Sequence, residues 1–119
     1  MDAGAASVVN DQVGTPTWTR DLAEIVYQHG VNNLEEKIVH AVASGYGSWF
    51  DFAREIANAL PDGEKYFLSP VMSEEISTAA KRPAFSALDN SETKGPIIGD
   101  WRERWKLAAP EVLAEFLTK

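Results

Sequence analysis

Apolar and polar positions along this chain follow several distinct rhythms. The stretch Ser7-Val8-Val9-Asn10-Asp11-Gln12-Val13 is short and β-branched before Gly14 and Pro16, which predicts a strand running into a loop. After Thr17-Trp18-Thr19, the apolar set Leu22, Ala23, Ile25 and Val26 recurs at helical spacing. Thr19 is suited to cap that helix, Asp21 to its positive end, and Gly30 to end it in a left-handed turn. From Lys37 to Ala43 an apolar run lies between charge on one side and Ser44-Gly45 on the other, predicting a strand covered on both faces with His40 among apolar neighbours. Ser48 with Asp51 resembles a capping box, and Trp49, Phe52, Ala53, Ile56, Ala57 and Leu60 then mark one face of a helix.

Pro61-Asp62-Gly63 reads as a turn, and Lys65 to Leu68 as a strand that stops before Pro70. Between Ser73 and Asn90 no period is sustained, Pro83 interrupts, and only a short strand near Phe85 to Leu88 is predicted. Loops of that length inside a domain are usually functional or flexible, so a ligand is expected there. Asp100 and Glu103 repeat the capping logic at the start of a helix that carries Trp101 and Trp105 on one face. Pro110 clashes with the carbonyl of Lys106 in a continuous helix, which predicts two short helices or one kinked one, the last bearing Val112, Leu113, Phe116 and Leu117 as a stripe. The sum is an α/β fold: a small domain of short strands and about four helices. Residues 1–6 read as a flexible start and residues 7–119 as a single lobe.

Composition narrows the chemistry. The chain of 119 residues fits one domain, and its hydrophobic content of 45% with 24% charged residues is that of a globular protein. With no cysteine there is no disulfide, no thiolate nucleophile and no Cys-ligated metal, which is compatible with a reducing, cytoplasmic setting. Eleven Lys and Arg against 18 Asp and Glu give −7, a charge that repels phosphates on average and argues against nucleic acid as a partner. Any anionic ligand therefore needs a local basic cluster. No apolar run reaches the roughly 20 residues of a membrane-spanning helix, and no membrane partner is expected.

Several candidate motifs lose their chemistry on inspection. Gly45-Tyr46-Gly47-Ser48-Trp49-Phe50 lies between a predicted strand and a predicted helix, as a dinucleotide-binding turn does. Its third glycine position is Phe50, where close helix packing needs a small residue, so a helix-entry turn capped by Ser48 is the better reading. Four residues after Tyr27, Tyr46 and Tyr66 stand Val31, Phe50 and Pro70, so the tyrosine–lysine pair of short-chain dehydrogenases is absent. His29 and His40 fall on different elements, and neither metal ligation nor catalysis is expected of them. Glu35-Glu36 and Glu74-Glu75 are neighbours in sequence, so their side chains diverge and read as solvated faces. The four tryptophans read as packing residues. Lys81-Arg82-Pro83 is different: it sets two cations inside the long loop and fixes the backbone after them. Either it is a local anion site, with a guanidinium gripping phosphate through two hydrogen bonds, or it is an exposed basic pair.

Three segments, taken together, resemble the C-terminal substrate-binding part of the dTDP-4-dehydrorhamnose reductase family, extended short-chain dehydrogenases. Asp11-Gln12-Val13-Gly14-Thr15-Pro16-Thr17-Trp18-Thr19-Arg20-Asp21-Leu22-Ala23 is similar to the family's D-Q-x-G-x-P-T-aromatic-T-x-D-L-A. Ser44-Gly45-Tyr46-Gly47-Ser48-Trp49-Phe50-Asp51-Phe52-Ala53 is similar to S-G-x-x-S-W-aromatic-x-F-A. Lys81-Arg82-Pro83-Ala84-Phe85-Ser86-Ala87-Leu88-Asp89-Asn90 is similar to K-R-P-x-x-S-x-L-D-N. They occur in the family's order and span about Val8 to Leu117. The sequence departs near Ser77 and Ala79, where prolines are common, and in a longer Trp105 to Pro110 segment.

The resemblance implies the C-terminal substrate-binding lobe of an extended short-chain dehydrogenase that moves hydride from NADPH or NADH to the keto carbon of a dTDP-sugar. The family's glycine-rich loop and Tyr-Lys pair lie N-terminal to the matched region, so no catalytic, cofactor or metal residue is expected in this chain. Gln12, Thr15, Thr17, Lys81, Arg82 and Ser86 are the expected substrate-binding residues, the two cations offsetting diphosphate charge and the others orienting sugar or base. A lobe without its nucleotide-binding partner is expected to self-associate through uncovered apolar surface. The alternative is a non-catalytic protein-interaction or regulatory module of the same fold.

Overall fold

The computed structural model describes residues 4–32, 38–91 and 97–118. The β-branched N-terminal stretch forms a strand, β1 (Ala5–Val9), which begins two residues before the predicted onset of order and pairs in parallel with β4 (Phe67–Val71). The register runs from Ala5 opposite Phe67 to Val9 opposite Val71. The predicted strand does not continue to Val13. The chain bends at Asn10 to Gln12, and β2 (Val13–Gly14) starts a second small sheet, antiparallel to β3 (Gly47–Ser48). Pro70 lies within β4 instead of ending it, because a two-stranded sheet has an open edge where a missing N–H breaks no ladder bond.

Helix α1 (Thr19–Asn32) passes through Gly30, whose φ is not positive; glycine permits a left-handed stop without imposing one. Thr19 is the first helical residue and not the cap, since the Leu22 N–H donates to the Trp18 carbonyl. The extended segment that follows forms no strand ladder among the described residues; its one pairing there is a bridge from Ser44 to Asp100. Lys37 and the Glu35-Glu36 pair lie outside the described residues. Val42 and Ala43 are buried, but Ile38 is 81% exposed. His40 is exposed rather than packed in a core, with Nδ1 3.0 Å from the Asp89 carbonyl oxygen.

The capping box forms as its spacing predicts. Ser48 Oγ accepts from the Asp51 N–H, and an Asp51 carboxylate oxygen accepts from the Ser48 N–H, each at 3.0 Å, opening α2 (Trp49–Ala59). Helix α3 (Trp101–Leu117) starts at Asp100, whose carboxylate accepts from the Arg102 N–H, and continues through Pro110 as a single helix. Proline removes one hydrogen bond there, to the exposed Lys106, whose carbonyl water can serve, while Ala108 and Ala109 are held buried just before it. The described residues thus hold three α-helices rather than about four, with single 3₁₀ turns at Gly63–Lys65 and Ser73–Glu75. The short strand expected near Phe85 reduces to one bridge, Phe85 opposite Val13.

Aromatic residues hold the helices together. Phe52 of α2 meets Trp101 and Trp105 of α3 edge-on, with ring centroids 5.9 and 5.5 Å away, and Trp105 Nε1 donates to the Glu55 carbonyl. The central cluster is small: Ile25, Ala43, Ile98 and Trp101, with Ala41 and Phe52 against it. Val26, Tyr27, Trp49, Phe67, Leu107 and Phe116 remain exposed. The radius of gyration is 16.5 Å, against about 13.5 Å for a compact domain of this length. An open arrangement with uncovered apolar side chains is the result. No helix of the described residues is long and apolar enough to cross a membrane.

Candidate functional site

A cleft of about 1200 Å³ opens between the β1–β2 corner, the start of α1, the cap of α2 and the inner face of α3. Its lining combines the polar side chains of Gln12, Thr15, Thr17, Thr78, Arg82 and Ser86 with the apolar Val8, Trp49, Phe52, Trp105, Ala108 and Val112. In a protein of charge −7, the lining holds two arginines and no carboxylate among the described residues.

The two arginines are not equivalent. Arg104 gives Nε to Asp21 Oδ2 at 2.9 Å and Nη2 to Asp21 Oδ1 at 2.7 Å, a bidentate pair that raises its pKa and neutralises its charge. Arg82 has no hydrogen-bond or ion-pair partner among the described residues and is exposed. It is the one cleft-lining cation there whose charge is unspent. Lys81, its neighbour, is exposed and does not line the cleft.

The other expected residues reach the cleft with their polar groups partly engaged. Thr15 Oγ1 donates to the Gly45 carbonyl at 2.8 Å. Thr17 Oγ1 donates to the Thr15 carbonyl and accepts from the Ala43 N–H, both at 3.2 Å, so it fastens the entry of α1 to the extended segment. Ser86 bonds to the Val13 carbonyl through its N–H at 2.8 Å and its hydroxyl at 3.3 Å. Gln12 Nε2 donates to Ser73 Oγ at 3.0 Å, which leaves its side-chain Oε1 without a partner among the described residues. Thus five of the six expected residues share one cleft. The sequence does not single out Thr78, Trp18, Trp49 and Arg104 for the site; Trp49, 60% exposed at the first turn of α2, is the one whose position invites it.

The glycine turn is not a cradle for a dinucleotide. A Cβ on Gly47 falls 2.7 Å from Trp101 Cζ2, so the turn is packed against the core, and Ser48 and Asp51 already occupy the first amides of α2. Among the described residues, no cluster of three or more His, Asp or Glu side chains is arranged to hold a metal ion.

Residues 2–118 match the model of the RmlD substrate binding domain. A probable dTDP-4,6-dihydroxy-2-methyloxan-3-one 4-ketoreductase of Streptomyces antibioticus is 35% identical over 93% of this chain, and a dTDP-4-dehydrorhamnose reductase of Mycolicibacterium smegmatis is 34% identical over 92%. The chain spans only 38% and 34% of the length of these two relatives. Among solved structures, a dTDP-4-dehydrorhamnose reductase from Clostridium acetobutylicum superposes with a TM-score of 0.80 at 36% identity, covering 92% of this chain and 39% of that one. The same enzyme from Bacillus anthracis, in complex with NADP, gives a TM-score of 0.82 at 28% identity over the same shares. With its three motifs gathered around one cleft, the chain belongs to the RmlD substrate binding domain family.

Proposed function

We propose that this chain is the substrate-binding lobe of an NAD(P)H-dependent dTDP-4-dehydrorhamnose reductase, and that residues 7–119 bind a dTDP-sugar without reducing it alone. The observation that carries this reading is an unneutralised Arg82 in a cleft whose lining, among the described residues, holds no carboxylate, in an acidic protein. A diphosphate entering the cleft meets one free guanidinium and no acid of the described lining, so affinity comes from local charge. Lys81, outside the lining, contributes to the field at the rim. Thr15, Thr17 and Ser86 hold the walls and offer their hydroxyl oxygens as acceptors, and Gln12 offers its side-chain Oε1.

Hydride transfer belongs in this account to a separate nucleotide-binding lobe holding NADPH or NADH, as part of a cytoplasmic enzyme of dTDP-rhamnose synthesis. Two facts support that division: the glycine turn here is closed by Trp101, and the chain spans about two-fifths of its relatives. Without that lobe the exposed apolar residues drive self-association.

The test is affinity and turnover measured on one preparation. The chain is expected to bind dTDP and to leave NADPH unoxidised when a dTDP-4-keto sugar is added, turnover appearing only with the nucleotide-binding lobe of a relative. Reduction by the chain alone contradicts the reading. Absence of dTDP binding together with capture of a protein partner favours the regulatory module instead.

A further inference from the structure

The loop that carries Arg82 is held at both ends by one tripeptide. The β1–β4 register, Val9 opposite Val71, continues two residues on, where Asp11 meets Ser73 beyond the C-terminal ends of both strands. There Asp11 Oδ1 accepts from the Ser73 N–H at 2.9 Å and from Ser73 Oγ at 2.7 Å, and Gln12 Nε2 donates to that same Oγ at 3.0 Å. The serine hydroxyl is thus donor to one residue and acceptor from the next, which fixes its rotamer. At the other end, Val13 donates to the Ala84 carbonyl and accepts from the Ser86 N–H, both at 2.8 Å. Residues 76–83 span the interval, with no regular structure. Asp11 itself does not line the cleft.

We propose that Asp11 is a positioning residue which, through Ser73, sets the loop so that Arg82 faces the cleft. The proposal rests on the substrate reading above and deepens it. Loss of the two Asp11 bonds leaves Ser73 held by the Gln12 side chain alone and the loop firmly tied only at Ala84 to Ser86, and a ligand must then order the loop at its own expense. Asp11 thereby governs diphosphate affinity without touching the ligand.

The experiment is a double-mutant cycle on the chain with dTDP as probe, read by calorimetry, together with backbone ¹H–¹⁵N NOE values for residues 76–83. Asp11→Ala is expected to weaken dTDP about tenfold and to lower those NOE values. Asp11→Asn, which keeps the Oδ1 acceptor, is expected to recover most of the loss, and in an Arg82→Ala background Asp11→Ala is expected to add nothing. Losses that multiply in the double variant overturn the proposal, as do unchanged NOE values in Asp11→Ala. If Asp11→Ala does not fold, Ser73→Ala, which spares the backbone bond, is read the same way. If the unaltered chain fails to bind dTDP, the substrate reading falls, and the NOE comparison still decides whether Asp11 orders the loop.

Discussion

Arg104 and Asp21 join α3 to the first turn of α1 through two parallel hydrogen bonds of 2.9 and 2.7 Å. The contact removes Arg104 from the cleft's free charge and braces the wall behind Trp18, whose ring lies 6.0 Å from the guanidinium carbon. Asp21→Ala leaves a partly buried guanidinium unpaired. It is expected to lower unfolding stability by about 1–2 kcal/mol in a denaturant titration. Arg104→Lys, which cannot make the paired bonds, is expected to lose a similar share.

Ser48 serves two partners at once. Its hydroxyl caps α2 and also donates to Asn10 Oδ1 at 2.8 Å, and the residue is only 4% exposed. Ser48→Ala removes the cap and strands the asparagine oxygen, an expected cost of about 1–2 kcal/mol, visible as a lower midpoint of thermal unfolding.

Gly47 lies against the ring of the buried Trp101, so close that a methyl group added at its Cα would stand 2.7 Å from Cζ2. Gly47→Ala is expected to push the indole out of the central cluster at a cost of about 1–3 kcal/mol, with a red shift of tryptophan fluorescence. Gly45→Ala meets a different obstacle, a φ of +78° and the Asp100 carboxylate. It is expected to disturb the α3 cap first.

The bonds from Ser73 hold the Asp11 carboxyl below its ordinary value of 3.8, the hydroxyl contributing most and the backbone N–H next. A carboxyl whose folded pKa is depressed stabilises the fold above its unfolded pKa, and that stabilisation is lost as pH falls through the folded value. Unfolding curves of the parent and Asp11→Asn are therefore expected to differ by a constant amount at neutral pH. The difference is expected to shrink once pH drops below about 3.8. A gap that stays constant down to about pH 2.5 contradicts this.

Local signals are legible where one short segment decides the outcome. Ser48 and Asp51 form their box because both partners lie within one turn, and the Lys81-Arg82-Pro83 stretch announces a cation in a loop. Long-range ties are not legible. Nothing in the sequence pairs Asp11 with Ser73 or Arg104 with Asp21, so the sequence presents Gln12 as a ligand residue alone and does not single out Arg104. The run ending at Ala43 has the pattern of a doubly covered strand, yet among the described residues it finds no ladder, and Ile38 stays exposed. Its pattern encodes burial that these residues do not supply. Pro110 shows the same lesson in reverse: a local breaker yields where Ala108 and Ala109 are buried just before it.

Arg82, the free guanidinium of a cleft whose described lining holds no carboxylate, is proposed to grip a nucleotide diphosphate. Chemical-shift mapping of the chain during titration with dTDP tests it most directly. Shifts concentrated at Arg82 and Thr17 and abolished by Arg82→Ala are expected. Shifts confined to the Gly45–Gly47 turn, or none even with the nucleotide-binding lobe of a relative added, contradict it.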